Sequence, residues 1–199
     1  MTRFLALGDS YTIGESVAAN ERWPVVLAER LGLPEPQIVA RTGWTADELH
    51  AAIDEANPVG PFDLVTLLIG VNDQYRGRDA QSYRGEFAIL LRRAIEFAGG
   101  EASRVVVVSI PDWGVTPFAS DRDRNQIAEA IDRFNLVNRD EAIRAGAHYA
   151  DIVEASRQAR LEPALIAADR LHPSAEMYRR WLDIILPAAR AALGGHPGP

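Results

Sequence analysis

Two stretches of this chain are apolar almost without interruption, 63–69 (DLVTLLI) and 104–109 (RVVVVS). A run of that kind suits a strand covered on both faces, and a strand so covered belongs to a parallel sheet with helices above and below it. Further strand-like runs stand at 3–7 (RFLAL), at 37–40 (QIVA) and, more weakly, at 147–150 (AHYA). Between them the pattern turns helical. Trp23-Pro24 opens a segment that ends near Gly32. Thr45 and Glu48 are spaced as a capping box for a helix reaching about Ala56. Tyr83, Phe87, Leu90, Leu91 and Ala94 recur at helical spacing within 79–98, and Gly99-Gly100 stops them. Ile127, Ile131 and Phe134 share one face of 122–145, and Gly146 follows. Met177, Trp181, Ile184 and Ile185 stripe a last helix from about Ser174 to Leu193, with Pro187 as a possible kink.

Strands alternating with helices imply an α/β fold: a three-layer α/β/α sandwich around a flavodoxin-like parallel sheet of about five strands. The length of 199 residues suits a single domain, 1–193, with 194–199 as a flexible tail. The net charge of -7 repels phosphate backbones, so no nucleic-acid partner is expected. The chain has no cysteine, which excludes disulfides, thiolate metal sites and a cysteine nucleophile. No stretch approaches membrane-spanning length, so no stable membrane insertion is expected. Met1-Thr2-Arg3 runs straight into the first strand with no signal-peptide apolar region, which makes a cytoplasmic location the expectation.

In sheets of this type ligands bind beyond the carboxyl ends of the strands. Gly8-Asp9-Ser10 follows the first strand, Arg41-Thr42-Gly43-Trp44 the second and Gly70-Val71-Asn72-Asp73 the third; Asp169-Arg170-Leu171-His172-Pro173 precedes the last helix. Each alone is ordinary. Gly-Asp-Ser after a strand is commonly a turn whose Asp or Ser caps a helix, and a lone histidine is more often structural than catalytic. Together, Ser10, Gly43, Asn72 and His172, in that order and at those places, resemble the SGNH hydrolase superfamily, the GDSL-like esterases and lipases. The resemblance runs from Gly8 to Pro173. Its first block reads Gly-Asp-Ser-Tyr where the family name has Leu, a departure that bears on pocket shape rather than on chemistry.

The resemblance implies a serine nucleophile at Ser10, a base at His172 and an orienting acid at Asp169. It also implies an oxyanion hole built from the Ser10 and Gly43 N–H groups and the Asn72 amide. The residue types fit those roles. A serine hydroxyl needs an adjacent base, and a histidine titrates near neutrality. Of the other histidines, His50 lies in a helical pattern, His148 in a strand and His196 in the tail, and none has a carboxylate three residues earlier in a proline-flanked loop. A glycine at 43 lets an oxygen approach the backbone, and an asparagine at 72 brings donors without charge.

Tyr11, Trp44, Tyr75 and Trp113 fall near strand ends, either lining a pocket or packing. Arg41, Arg76 and Arg78 suit a solvated loop better than an anionic substrate. The stretch 110–114 (IPDWG) begins a long loop placed to shape substrate access. The resulting expectation is a hydrolase for a small or short-acyl carboxylic ester, acting through an acyl-enzyme without cofactor or metal. Two alternatives stand beside it. One is a metal-dependent phosphoesterase using Asp9, Asp73, Asp169 and His172, in a chain poor in histidine for such a site. The other is a non-catalytic flavodoxin-like binding module, whose first loop lacks a glycine-rich phosphate pattern.

Overall fold

The computed structural model describes residues 2–194. Most of the expected tail, and His196 with it, lies outside the described residues. Five strands form one parallel sheet: β1 (Phe4–Gly8), β2 (Gln37–Ala40), β3 (Leu64–Leu68), β4 (Val105–Val108) and β5 (His148–Ala150), in the order β2-β1-β3-β4-β5. Eight helices accompany them: α1 (Ser10–Ile13), α2 (Trp23–Arg30), α3 (Ala46–Ala56), α4 (Val71–Tyr75), α5 (Ala80–Phe97), α6 (Arg124–Ala145), α7 (Val153–Arg157) and α8 (Ala175–Ala192). Every residue of β1, β3 and β4 is buried, as the unbroken apolar runs require of strands covered on both faces. The result is the three-layer α/β/α sandwich.

The strand order explains which helix lies where. From β1 the chain steps outward to β2, then returns past β1 to β3 and continues through β4 to β5. Right-handed crossovers place α2 on one face and α3, α5 and α6 on the other. The contacts agree: α5 packs against α3 and α6, whereas α2 packs against α8. Pro187 sits inside α8 without ending it. Three short helices had no sequence signal of their own. They follow β1, β3 and β5 directly, and two of them open the segments holding Ser10 and Asn72. Among the described residues no helix is long and apolar enough to cross a membrane.

Because the chain reverses its direction of travel at β1, the carboxyl ends of β1 and β3 face a crevice that no crossover covers. These two strands pair in register, with Gly8 opposite Leu68. The turn after β3 is held tightly. Gly70 has φ +122°, and a Cβ there would stand 2.5 Å from the Tyr83 hydroxyl, which itself donates to the Ile69 carbonyl at 2.9 Å. Gly70→Ala therefore combines backbone strain with a collision in a buried site. It is expected to cost about 2–3 kcal/mol, read as a lower urea midpoint at unchanged m-value.

Candidate active site

β1 ends in a carboxylate that water cannot reach. Asp9 is fully buried and is the N-cap of α1, with Oδ1 accepting the Tyr11 N–H at 3.0 Å. Its Oδ2 faces Asn72 Nδ2, across from α4, at 3.5 Å. Burial pushes the Asp9 carboxyl up to about 8; the Tyr11 N–H opposes this and the nearby Asp73 charge adds to it. Ser10 is thus the first residue of a helix, and it too is buried. Asp73 accepts the Ala46 N–H at 3.0 Å and pairs with Arg78 at 3.0 Å. Burial lifts its carboxyl to about 6 against those two partners. Both acids therefore act as buried anchors that tie the strand ends together.

The segment after β2 is drawn over this floor. Asn72 Nδ2 donates to the Trp44 carbonyl at 2.9 Å, and Arg76 donates to the Gly43 carbonyl at 2.8 Å. Glu48 accepts the Thr45 N–H at 2.9 Å, one half of the capping box that the spacing predicts, while the Thr45 hydroxyl turns to Asp47, and Arg76 also pairs with Glu48. Gly43 has φ +89°, which favours glycine, and nothing lies within 4 Å of where a Cβ would project. One Asn72 N–H is thus committed to Trp44. The other has only the long approach to Asp9, which leaves it free for an incoming oxygen.

The fourth segment comes from far down the chain. His172 Nδ1 lies 2.6 Å from Asp169 Oδ2. Asp169 Oδ1 accepts the Leu171 and His172 N–H groups, each at 2.9 Å. The Ser16 hydroxyl donates to Oδ2 at 2.7 Å. Partial burial works against the Asp169 charge, but the Leu171 N–H, the imidazole and the Ser16 hydroxyl outweigh it and hold the carboxyl well below the usual range. Ser16 and Arg170, on the two sides of this contact, are both non-glycine residues at positive φ, +66° and +69°. The buried imidazole lies against Tyr11, with centroids 5.2 Å apart. Tyr11 stacks in turn on Trp181, and its carbonyl accepts Trp23 Nε1 at 3.0 Å. With Nδ1 engaged by a carboxylate, Nε2 is the nitrogen left to exchange a proton.

Of the aromatic residues near the strand ends, Tyr11 and Trp113 are buried, Trp44 is half-buried and Tyr75 is exposed. Tyr11 and Trp113 border a narrow cavity of about 20 Å³ beside His172, and Trp113 Nε1 donates to Gln74 at 2.7 Å. Arg76 and Arg78 are taken up by acidic partners, and Arg41 is exposed. Of the residues weighed as metal ligands, Asp73 turns to Ala46 and Arg78, and Asp169 to His172, its own loop and Ser16. Among the described residues no three His, Asp or Glu side chains stand close enough to share an ion. Ser16 had no sequence signal, because its role depends on a contact 153 positions away.

The sequence model of the GDSL-like lipase/acylhydrolase family matches residues 6–180. This chain belongs to that family. Membership supports an ester-hydrolase activity, and the matched span contains all four segments of the site. No curated protein matches the sequence. Similar solved structures include a lipolytic protein of the G-D-S-L family from Veillonella parvula, 21% identical over 98% of this chain and 97% of that one, with a TM-score of 0.67. A phospholipase A1 from Streptomyces albidoflavus is 18% identical over 96% and 99%, with a TM-score of 0.72. An acetylxylan esterase from Geobacillus stearothermophilus is 20% identical over 97% and 94%, with a TM-score of 0.67. At such identities the likeness shows a shared fold.

The buried acids give stability a definite dependence on pH. Folded Asp9 keeps its proton to about pH 8 and folded Asp73 to about 6, whereas an unfolded aspartate releases it near pH ~4. Across that window the folded chain binds more protons than the unfolded one, so stability falls as pH rises. Asp169, depressed, works in the opposite direction and loses its contribution only in acid. Above the Asp73 range the remaining decline belongs to Asp9. Asp9→Asn should flatten it, measured as urea midpoints at intervals from about pH 6 to pH 8.

Proposed function

We propose that this protein is a serine hydrolase that cleaves a carboxylic ester of a small or short-acyl substrate through an acyl-enzyme. The observation that carries this reading is the docking of the Asp169–His172 pair on the turn that holds Ser10. Ser16, six residues after Ser10, binds the acid, and Tyr11, beside it, supports the imidazole ring.

In this reading His172 Nε2 takes the Ser10 proton as Oγ attacks the ester carbonyl, and Asp169 stabilises the imidazolium that forms. The carbonyl oxygen becomes an oxyanion. The Ser10 N–H, the Gly43 N–H and the uncommitted Asn72 N–H receive it. The imidazolium then returns its proton to the departing alcohol, leaving Ser10 acylated. Water, deprotonated by the same imidazole, attacks the acyl-enzyme and releases the acid. Asp9 contributes by being neutral below about pH 8, so that no fixed negative charge lies beneath the developing one.

Ser10→Ala is expected to abolish hydrolysis of an aryl acetate while far-UV circular dichroism and melting temperature stay near wild type. A serine-directed phosphonate should label Ser10 alone by peptide mapping; turnover by Ser10→Ala at the wild-type rate would refute the assignment. Asn72→Ala should lower kcat by roughly 10²–10³ with KM little changed, because the donor acts mainly on the oxyanion. A purely structural asparagine would instead lower the melting temperature and leave kcat per folded molecule intact.

A further inference from the structure

An exposed arginine stands beside the site in an aromatic cradle. The Arg122 guanidinium lies 5.0 Å from the Tyr75 ring centroid, 5.4 Å from that of Trp113 and 5.8 Å from that of Phe118. Its Nη2 donates to the Tyr75 hydroxyl at 3.2 Å. The rings brace one another, with Tyr75 and Trp113 edge to face at 5.4 Å and Trp113 and Phe118 at 6.0 Å. Aromatic faces hold a guanidinium by cation–π attraction while leaving its N–H edge free.

The cradle is bounded by both halves of the site. Tyr75 ends α4, the helix that carries Asn72. The Phe118 N–H donates to the Arg170 carbonyl at 3.1 Å, between Asp169 and His172 in sequence. The cradle thus stands between the helix that carries Asn72 and the loop that carries His172. The space there is a groove of about 730 Å³, far larger than the cavity beside His172.

The charged side chains of the groove decide what it favours. Arg78 is paired with Asp47 and Asp73, and Arg133 with Glu129. Asp79 accepts the first N–H groups of α5, and Asp123 those of α6. Of the cations lining this groove, Arg122 is the one that makes no ion pair among the described residues. It also borders a second groove, of about 480 Å³, where Arg124 and Arg160 likewise make none among the described residues. A chain of net charge -7 thus keeps unpaired cationic groups on the ridge next to its site.

We propose that Arg122 is a specificity-determining residue that binds an oxyanion, a carboxylate or a phosphate, on one arm of the ester substrate. This rests on the hydrolase reading above. Arginine presents a planar fork that matches either group with two parallel hydrogen bonds. The rigid cradle reduces the entropy lost in making them. The natural substrate class is then an anionic ester rather than a neutral one.

The test compares four aryl esters. On the acyl arm, the 4-nitrophenyl ester of succinate with a free carboxylate is set against its methyl-capped form. On the alcohol arm, 4-acetoxyphenyl phosphate is set against its dimethyl-capped form. The wild-type enzyme should prefer the free anion in at least one pair by about ten- to a hundredfold in kcat/KM, the range expected of a charge-assisted contact. The pair in which this occurs shows which arm and which anion the groove takes. Arg122→Met should bring that ratio to about one, and Arg122→Lys, which keeps the charge and loses the fork, should retain part of it. Arg179→Met, at an ion-paired position on α8, should leave the ratio unchanged. Absence of preference in both pairs, or a preference that survives Arg122→Met, overturns the proposal. The capped esters separate this failure from that of the hydrolase reading: if Ser10-dependent turnover of them persists, only the anion site falls, and if it is absent, both readings fall together.

Discussion

The site depends on one topological constraint. β1 and β3 are hydrogen-bonded neighbours, but the chain leaves β1 toward one edge of the sheet and β3 toward the other. Crossovers of one hand then lie on opposite faces, and the carboxyl ends between them are left open. Everything chemical in the molecule is arranged around that opening. The first turn after β1 supplies Ser10 and the first turn after β3 supplies Asn72, and the segment after β2 is pulled across them by Asn72 and Arg76. The loop before α8 closes the fourth side.

A sheet that leaves a gap has to keep its edges from drifting, and this one uses buried carboxyl groups to do so. Asp9 holds the first turn of α1 through the N–H of Tyr11, and Asp73 links α3 to Arg78. A buried polar group is costly unless it is hydrogen-bonded, so each bond it makes is held firmly. Asp9 and Asp73 are lifted by burial and Asp169 is lowered by its donors. Three acids within one site are thus set to different charges: the two in the floor are eased toward neutrality, and the one behind the imidazole is kept ionised, which is the form that can stabilise an imidazolium.

Much of this was legible in the sequence, for identifiable reasons. The five strands and five long helices follow from unbroken apolar runs, from period-3.6 stripes such as Tyr83-Phe87-Leu90-Leu91, and from stops such as Gly99-Gly100 and Gly146. The candidate residues were legible as motifs at strand ends, and the fold brings the segments that hold Ser10, Gly43, Asn72 and His172 to one crevice. The short helices α1, α4 and α7 were not visible, because four or five residues are too few to display a helical period. The aromatic residues near strand ends were ambiguous in the same way: nothing in the local sequence separates buried Tyr11 from exposed Tyr75. Ser16 and Arg122 were invisible for a further reason. Each is defined by partners brought to it by the fold, Asp169 in one case and three separate rings in the other.

The bond between Ser16 and Asp169 joins positions 153 residues apart, so the chain must close a loop of most of its length to make it. Loop-closure entropy makes contacts of such separation the last to be rewarded during folding. In a growing chain the turn after β1 has no imidazole to meet until the segment before α8 has been made. The same geometry acts in reverse in the finished protein. An opening of the last helix, too local to disturb the sheet, would carry the imidazole away from the turn, so the contact between His172 and Tyr11 is a sensitive report on whether these two distant segments are together.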